Sequence, residues 1–410
     1  LGIATSYALP ELATHPRVRL TAAADVRPAA LARAAVEYGV RTFESVEALC
    51  ADPEVDAVYV ATPNFLHEQH VLAAAARGKH VIVEKPMAVS VAQCLAMTEA
   101  MERAGLQLVC GHTHSFNPPI RALRQLARGG SLGRLRMMHA WNYTDLLYRP
   151  RAAWELDTAR GGGVVFIQAP HQVDIVRLVG GGMVRSVRAA SSSWDASRLT
   201  EGAYTAFLEF EDGTPATLVY SGYGHFDSAE LHHWVGERGQ PRDPGTHAAS
   251  RARFQAAIVQ GNEDEADLRD ARRYGGAQDR GGSAPTGQGH QFFGLMLFSF
   301  ERADVRQSPA GLEIYGDQGP HELPVPTEPS GIHAMVDELL AAIESGSPAP
   351  HDGRWATATI EVCEAMLTSS RERREVNMAH QVAYRDGVAA GSQDANSPSP
   401  GGSGKGLSKA

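Results

Sequence analysis

The sequence predicts an α/β fold in two parts: an N-terminal doubly wound parallel sheet, then a C-terminal α+β domain built on a largely antiparallel open sheet. Three observations predict it. Segments up to residue 117 alternate between strand-like and helix-like texture, the signature of βαβ units. Beyond residue 118, period-2 stretches follow one another without obligatory helices between them. The 410 residues suit two domains at the usual size of about 100–200 residues each.

The first part contains the apolar run RVRLTAAADV (17–26), rich enough for a buried strand. PAALARAAVEYGV (28–40) follows as a helix, with Pro at its start and Gly near its end. VDAVYVATP (55–63) and VIVEK (81–85) read as buried strands, separated by the helical HEQHVLAAAARGKH (67–80). A helix over roughly 90–104 and the strand LQLVCG (106–111) complete the series. In the second part the strands are RLRMMHAWNY (134–143), VRSVRAASSSW (184–194), AYTAFLEFEDG (203–213), TPATLVYSGY (214–223) and FFGLMLFSFE (292–301). Asp212–Gly213 supplies a hairpin turn between two of them. Residues 236–290, rich in Gly, Arg, Asp and Gln, read as a long surface excursion with one helix, RARFQAAIVQ. Helices return at IHAMVDELLAAIE (332–344) and WATATIEVCEAMLTSSRER (355–373). The expected domains are therefore 1–117 and 118–380, followed by a disordered Gly/Ser/Pro tail, 381–410.

Composition narrows the function. Hydrophobic residues at 43% leave ample material for sizeable cores, and a net charge of −9 argues against nucleic acid or an anionic membrane as partner. No apolar run approaches the roughly 18 residues of a membrane span, and no signal-peptide pattern is visible. Cys50, Cys94, Cys110 and Cys363 are scattered without CxxC spacing, which fits reduced thiols in the cytoplasm. HEQH (67–70) and HTH (112–114) lack a third ligand and HExxH spacing, so no metal is expected.

The start of the chain, LGIATSYALPEL, reads as the remnant of a glycine-rich turn, with Gly2, Ile3 and Ala4 approaching a pyrophosphate at a helix N-terminus. The strand expected before that turn is absent from the sequence, which opens on Leu1, and a glycine position of the turn falls on Thr5. Asp25 ends the next strand, where an acidic side chain accepts hydrogen bonds from an adenosine ribose. Its charge favours NAD over NADP, because it repels a 2′-phosphate; Arg27 softens that preference. His112, directly after LQLVCG, is expected to line the same cleft.

HVIVEKPMAVS (80–90) ends a buried strand in a charged pair, Glu84–Lys85, followed by Pro86. Ligands of open parallel sheets bind beyond the carboxyl ends of the strands. Lys85 is therefore aimed at the nicotinamide half of the cofactor. A lysine partly desolvated there loses preference for its charged form and becomes a proton acceptor.

TPNFLHEQHVLAAAARGKHVIVEKPMAVS (62–90), together with GGGVVFIQAPHQVDIVRLVGGG (161–182), resembles the glucose–fructose oxidoreductase / inositol dehydrogenase (Gfo/Idh/MocA) family. The likeness covers most of the chain. It implies a Rossmann domain, a C-terminal α+β domain whose open sheet forms a homo-oligomer interface, and NAD(P)-dependent dehydrogenation. It places Thr62, Pro63, Asn64 and His67 in the loop bordering the nicotinamide, and Glu84, Lys85 and Pro86 on the catalytic motif, whose proline is often cis. The family's Asp-x-Gly-x-His-x-x-Asp pattern falls on Ile167, Ala169, His171 and Asp174. His171 is retained as acid/base or substrate ligand, and Asp174, one turn on, is placed to orient its ring or bind substrate, or equally to serve as a core-facing helix cap. Ile167 replaces the carboxylate that sugar and inositol dehydrogenases use on substrate, which argues against a plain polyol.

Within the family the chain resembles bacterial 4,5-dihydro-4,5-dihydroxyphthalate dehydrogenases, on GIATSYALPEL, HFDSAELHHWVGERG (225–239) and the excursion after it. A cyclic cis-dihydrodiol fits the missing carboxylate, since the first hydroxy-ketone enolises to a catechol and aromatisation drives oxidation. Such an anionic substrate requires cationic or hydrogen-bonding partners, for which Arg149, Arg151, Arg160, His225, His232 and His233 are the candidates. A sugar or inositol dehydrogenase and a non-catalytic ligand sensor remain the alternatives. Retention of both Lys85 and His171 favours the enzyme over the sensor.

Overall fold

Two sets of parallel strands carry the N-terminal part. In this computed structural model, which describes residues 1, 8–112, 114–259, 264–278 and 289–386, β1 (Ala22–Ala24) pairs with β2 (Arg41–Phe43). Strands β3 (Ala57–Val60), β4 (His80–Glu84) and β5 (Leu108–Gly111) form the second set, in that order. The helices are α1 (Ala8–Thr14), α2 (Pro28–Tyr38), α3 (Val46–Ala51), α4 (His67–Ala76) and α5 (Val91–Arg103). The β4 run shows no alternation because both of its faces are covered. Val81 and Val83 join the main core, while Ile82 turns to a second cluster with Val109 and Met335.

Helix α6 (Pro118–Gly129) leads into one nine-stranded sheet. Its strands are β6 (Leu135–Tyr143), β7 (Val184–Ser192), β8 (Ala203–Phe210), β9 (Pro215–Ser221), β10 (Leu295–Phe300), β11 (Ala303–Ser308), β12 (Gly311–Gly316), β13 (Gly319–Pro324) and β14 (Val376–Asn377). They are ordered β13-β12-β11-β10-β6-β9-β8-β7-β14. Every neighbouring pair is antiparallel except β6 with β9. Alternation is strict: Tyr204, Ala206, Leu208 and Phe210 of β8 are buried, while Phe207 is exposed. The covered face receives α8 (Ala169–Gly180), preceded by the short α7 (Gly163–Ile167). Met137, Trp141, Phe207 and Tyr315 remain exposed. At the edges stand the two-residue β14 and a β13 that carries Pro320 and Pro324.

The excursion after β9 contains α9 (Ala249–Phe254), prolonged by a wider turn to Val259, and α10 (Glu265–Arg272). The last two helices, α11 (Gly331–Ser345) and α12 (Gly353–Glu372), return to the N-terminal part. Helix α11 packs on α1 and β5, and α12 lies between α5, α8 and β7, so one core runs through both parts. Arg177 of α8 fixes this junction. It is fully buried, donates to the carbonyl oxygens of Gly182 and Trp355 and to Thr359 Oγ1, and lies 3.8 Å from the Trp355 ring.

The fold class is the one expected. Each anticipated strand is present with trimmed ends, and β2, β11, β12, β13 and β14 are additions. Two expectations need correction. The excursion is no mere surface loop, because its residues lock onto both parts of the molecule, as described below. The tail does not begin at 381. Gln381 donates to Ala358 O, Tyr384 packs edge-on against Trp355, and Asp386 pairs with Arg124 at 2.8 Å. Residues 387–410 lie outside the described residues. Among the described residues no helix is long and apolar enough to cross a membrane.

Arg177→Leu strands several buried acceptors and removes a buried cation, so it should cost about 3–5 kcal/mol. Arg103→Ala, at an exposed i,i+4 pair with Glu99, should stay within about 0.5 kcal/mol. Urea midpoints at unchanged slope measure both; a neutral Arg177→Leu would refute the lock.

Candidate active site

Lys85 emerges where β4 stops. Glu84 behind it is buried and accepts a hydrogen bond from the Tyr59 hydroxyl. The Lys85–Pro86 peptide is cis. Lys85 Nζ donates to the Ile167 carbonyl at 2.8 Å. That carbonyl is free to accept because it ends α7, where the last C=O groups of a helix have no intrahelical partner. Burial lowers the Lys85 pKa below its ordinary 10.5; the Glu84 and Glu237 charges oppose the shift and Arg151 adds to it.

Three buried imidazoles surround this amine. His171 meets His114 edge-on at 4.7 Å and tilts against Phe293 at 4.6 Å. The Asn117 amide lies 3.3 Å from His114 Nδ1. His112 stands after β5, its Nδ1 3.8 Å from Asp174 Oδ1. Burial, the largest cause in each case, pushes His112 down to about 4, His114 to about 3 and His171 well below its ordinary value. The Lys85 charge lowers all three further. All three are uncharged at neutral pH. Neither nitrogen of His112 has a partner, nor has His171 Nδ1 or Gln168 Oε1. Buried polar atoms are seldom left unpaired, so these mark a site that a ligand or water completes.

Asp25 follows β1. Its carboxylate accepts from the Arg27 backbone N–H at 2.8 Å and from Arg27 Nε at 3.1 Å. Burial works against its charge, but the bonds from Arg27 help to hold its pKa below the usual value. A half-buried anion beyond a parallel strand suits an adenosine ribose, and the unpartnered groups around Lys85 lie beyond β4 of the second parallel set. The residues present thus fit a dinucleotide. Gly2, Ile3 and Ala4, read as the glycine turn, lie outside the described residues.

Several expected ligands have other duties. His67 is fully buried with Nδ1 3.0 Å from Pro86 O and Nε2 2.9 Å from Thr62 O, so it sits between the loop after β3 and the lysine turn. Asn64 spends its amide on Gly161 O at 2.9 Å, and Thr62 Oγ1 lies 2.8 Å from His70 Nδ1. Pro63 precedes Asn64 in that loop. Gly161 has φ +77, and a side chain there would strike Val89. Asp174 does not orient His171. It accepts from the Trp355 indole at 2.6 Å, and His171 Nδ1 stays unpaired. Arg160 is exposed over the Phe65 ring, and His225 and His233 are exposed. His232 is buried, stacked on Phe292 and lining a narrow crevice with His114.

Arg149 and Arg151 are better placed. Arg151 acts on Lys85 electrostatically, and Arg149, bonded to Asp145 at 2.7 Å, shares the field of Glu237 with Lys85. Arg149, Arg238, Arg242, Arg253, Asp145 and Glu237 line a cavity of about 490 Å³. The residues that sequence reasoning missed are His114, Phe293, Glu237 and the Ile167 carbonyl. His114 was visible in the His-Thr-His string; a main-chain acceptor leaves no sequence signal. Among the described residues no group of three or more His, Cys, Asp or Glu is placed to hold a metal ion.

The sequence matches two family models. Residues 1–112 match the "Oxidoreductase family, NAD-binding Rossmann fold", and residues 120–240 match the "GFO/IDH/MocA C-terminal domain". The chain is 38% identical over 374 residues to a 1-carboxy-3-chloro-3,4-dihydroxycyclohexa-1,5-diene dehydrogenase of Comamonas testosteroni, covering 90% of this chain and 93% of that one. It is 32% identical over 242 residues to inositol 2-dehydrogenase 2 of Saccharopolyspora erythraea, covering 55% and 68%. A crystal structure of a putative dehydrogenase from Bordetella bronchiseptica RB50 superposes with a TM-score of 0.86 at 40% identity, covering 92% of this chain and 98% of that one.

The buried imidazoles predict acid lability. Between the ordinary 6.5 and about 4, the unfolded chain takes up protons that His67, His112 and His232 refuse when folded. Stability is therefore lost as pH falls from about 6.5, with a drop of several kcal/mol by about pH 5; the share of these three levels below about 4, while His114 and His171 extend the loss to lower pH. Urea unfolding across that range measures it, and a flat profile would contradict the placement of these rings.

Proposed function

The chain belongs to the Gfo/Idh/MocA oxidoreductase family, and on that premise we propose that it oxidises a phthalate cis-4,5-dihydrodiol to 4,5-dihydroxyphthalate, with NAD rather than NADP. It is an NAD-binding dehydrogenase. The observation that carries the finer reading is the amine of Lys85, desolvated and bonded to a neutral carbonyl among uncharged histidines.

NAD, when bound, accepts the hydride from the carbinol carbon. Lys85 takes the proton of the same hydroxyl, and its bond to Ile167 O keeps the lone pair aimed while adding no negative charge that would hold it protonated. His171, uncharged and half free of partners, assists by accepting from or donating to the ring hydroxyls. The resulting hydroxy-ketone enolises to the catechol, so product aromaticity supports the forward direction. Arg149 and Arg151 are read as partners of the substrate carboxylates, and the Comamonas relative is named for a ring diol that also bears a carboxyl group. The division into an NAD-binding part (1–117) and a substrate part (118–380), assembly through the open sheet face, and a cytoplasmic setting belong to the same proposal. Exposed Met137, Trp141 and Phe207 support the assembly, and four free buried cysteines support the setting.

Lys85→Ala should keep NADH binding and lower turnover by about two to four orders of magnitude. Near-normal turnover would remove Lys85 from its role, and NADH binding without turnover by the wild-type protein would indicate a sensor. In wild type, kcat/KM should rise with pH, falling about tenfold per unit below the depressed lysine pKa, because only the neutral amine accepts a proton. NAD reduction measured with phthalate dihydrodiol, other arene dihydrodiols, inositol and hexoses tests the substrate. Faster oxidation of inositol or hexoses would favour the polyol reading, which the Saccharopolyspora relative supports.

A further inference from the structure

One stretch of the excursion, residues 264–278, reaches from the substrate side of the cleft to the cofactor side. At its start, Glu265 receives a two-pronged contact from buried Arg198, at 2.7 and 3.0 Å, and the Arg151 backbone N–H at 2.7 Å. One turn later Arg269 pairs with Glu155 at 2.9 Å, and Glu155 also holds Arg151 at 3.1 Å. At its end, Tyr274 is buried against Ala30, Ala34 and Val40 around helix α2. Its hydroxyl donates to Glu37 at 2.8 Å, and the Arg33 guanidinium lies 4.6 Å from its ring. Gly275 runs so close to the first turn of α2 that an added Cβ would stand 3.0 Å from Ala30 backbone atoms.

Tyr274 also meets the ribose end of the dinucleotide site. Its carbonyl accepts from Arg27 Nη1 at 3.0 Å, while Arg27 Nε, Nη2 and the backbone N–H bond to Asp25, and Nη2 also donates to the Leu1 carbonyl at 2.6 Å. Arg27 is thereby pinned between a carboxylate and two main-chain oxygens, one of them Tyr274 O. A guanidinium so held is unavailable to a phosphate, although a free one is a strong phosphate partner.

We propose that residues 264–278 are a clasp closing the adenosine end of the dinucleotide site, with Tyr274 as its latch and the pinning of Arg27 as its means of favouring NAD over NADP. The inference rests on dinucleotide binding and is independent of the substrate assignment. Tyr274 and Glu265 act as positioning residues, since neither reaches the reacting atoms.

Tyr274→Ala and Tyr274→Phe test it. Opening the latch in Tyr274→Ala should weaken NADH binding, read by fluorescence titration, by about tenfold, and raise the NADP-to-NAD ratio of kcat/KM by about tenfold. The kcat at saturating NAD should stay within about twofold, because Lys85 is untouched. Tyr274→Phe keeps the packing and the carbonyl and should stay within about twofold on every readout. An unchanged NADH Kd and cofactor ratio in Tyr274→Ala would overturn the proposal. So would a fall of kcat with both cofactors in proportion, the mark of general damage. If Tyr274→Ala does not fold, Glu265→Gln loosens the far anchor. Stopped-flow NADH release should then quicken by about tenfold, and an unchanged rate would overturn the clasp.

Discussion

The bond from Lys85 Nζ to the Ile167 carbonyl joins the end of β4 to the end of α7. It constrains much of the site. A carbonyl fixes the amine in space as firmly as a carboxylate, but without the charge that would hold a proton on it. Neighbouring charges act on that balance in both directions: Glu84 and Glu237 oppose the lowering by burial, and Arg151 adds to it. Glu84, the nearest acid in sequence, turns into the interior and is occupied by Tyr59. His112, His114 and His171 are sealed deeply enough to remain neutral. Desolvation is the common cause of all four shifts.

That arrangement demands a rigid junction between the sheets, and several unrelated contacts supply it. His67 is wedged between the loop after β3 and the lysine turn, its neutral ring donating its one N–H to a main-chain carbonyl. Asn64 reaches across to Gly161, where only glycine leaves room. Arg177 and Trp355 lock α8 to α12, and α12 packs on α5 directly downstream of the lysine turn. Residues that resemble cofactor ligands by position therefore serve as masonry around Lys85.

Much of the fold was legible because it rests on periodicity. Residues 81–83 are apolar without interruption because both faces of β4 are covered, and β8 alternates because one face is open. Strands β11 to β13 escaped notice because ADVRQS, GLEIYG and GPHELP are polar or broken by Pro and Gly, and β13 is exposed over most of its length. In the site, Lys85 and His171 were visible through their motif. The duties of His67, Asn64 and Asp174 were not, because each depends on a partner 19 to 181 positions away. The excursion misled for a further reason. Its polar composition resembles a solvated loop, yet Glu265, Arg269 and Tyr274 spend that polarity on partners inside the molecule.

The nine-stranded sheet is closed to growth at its margins. One margin is a strand of two residues, too short to template another, and the other carries Pro320 and Pro324, which offer no N–H. Its broad face, by contrast, displays Met137, Trp141 and Phe207 to solvent. The margins therefore offer a further strand little to pair with, and the apolar surface of this sheet lies on its flat side and not along its hydrogen-bonding edges.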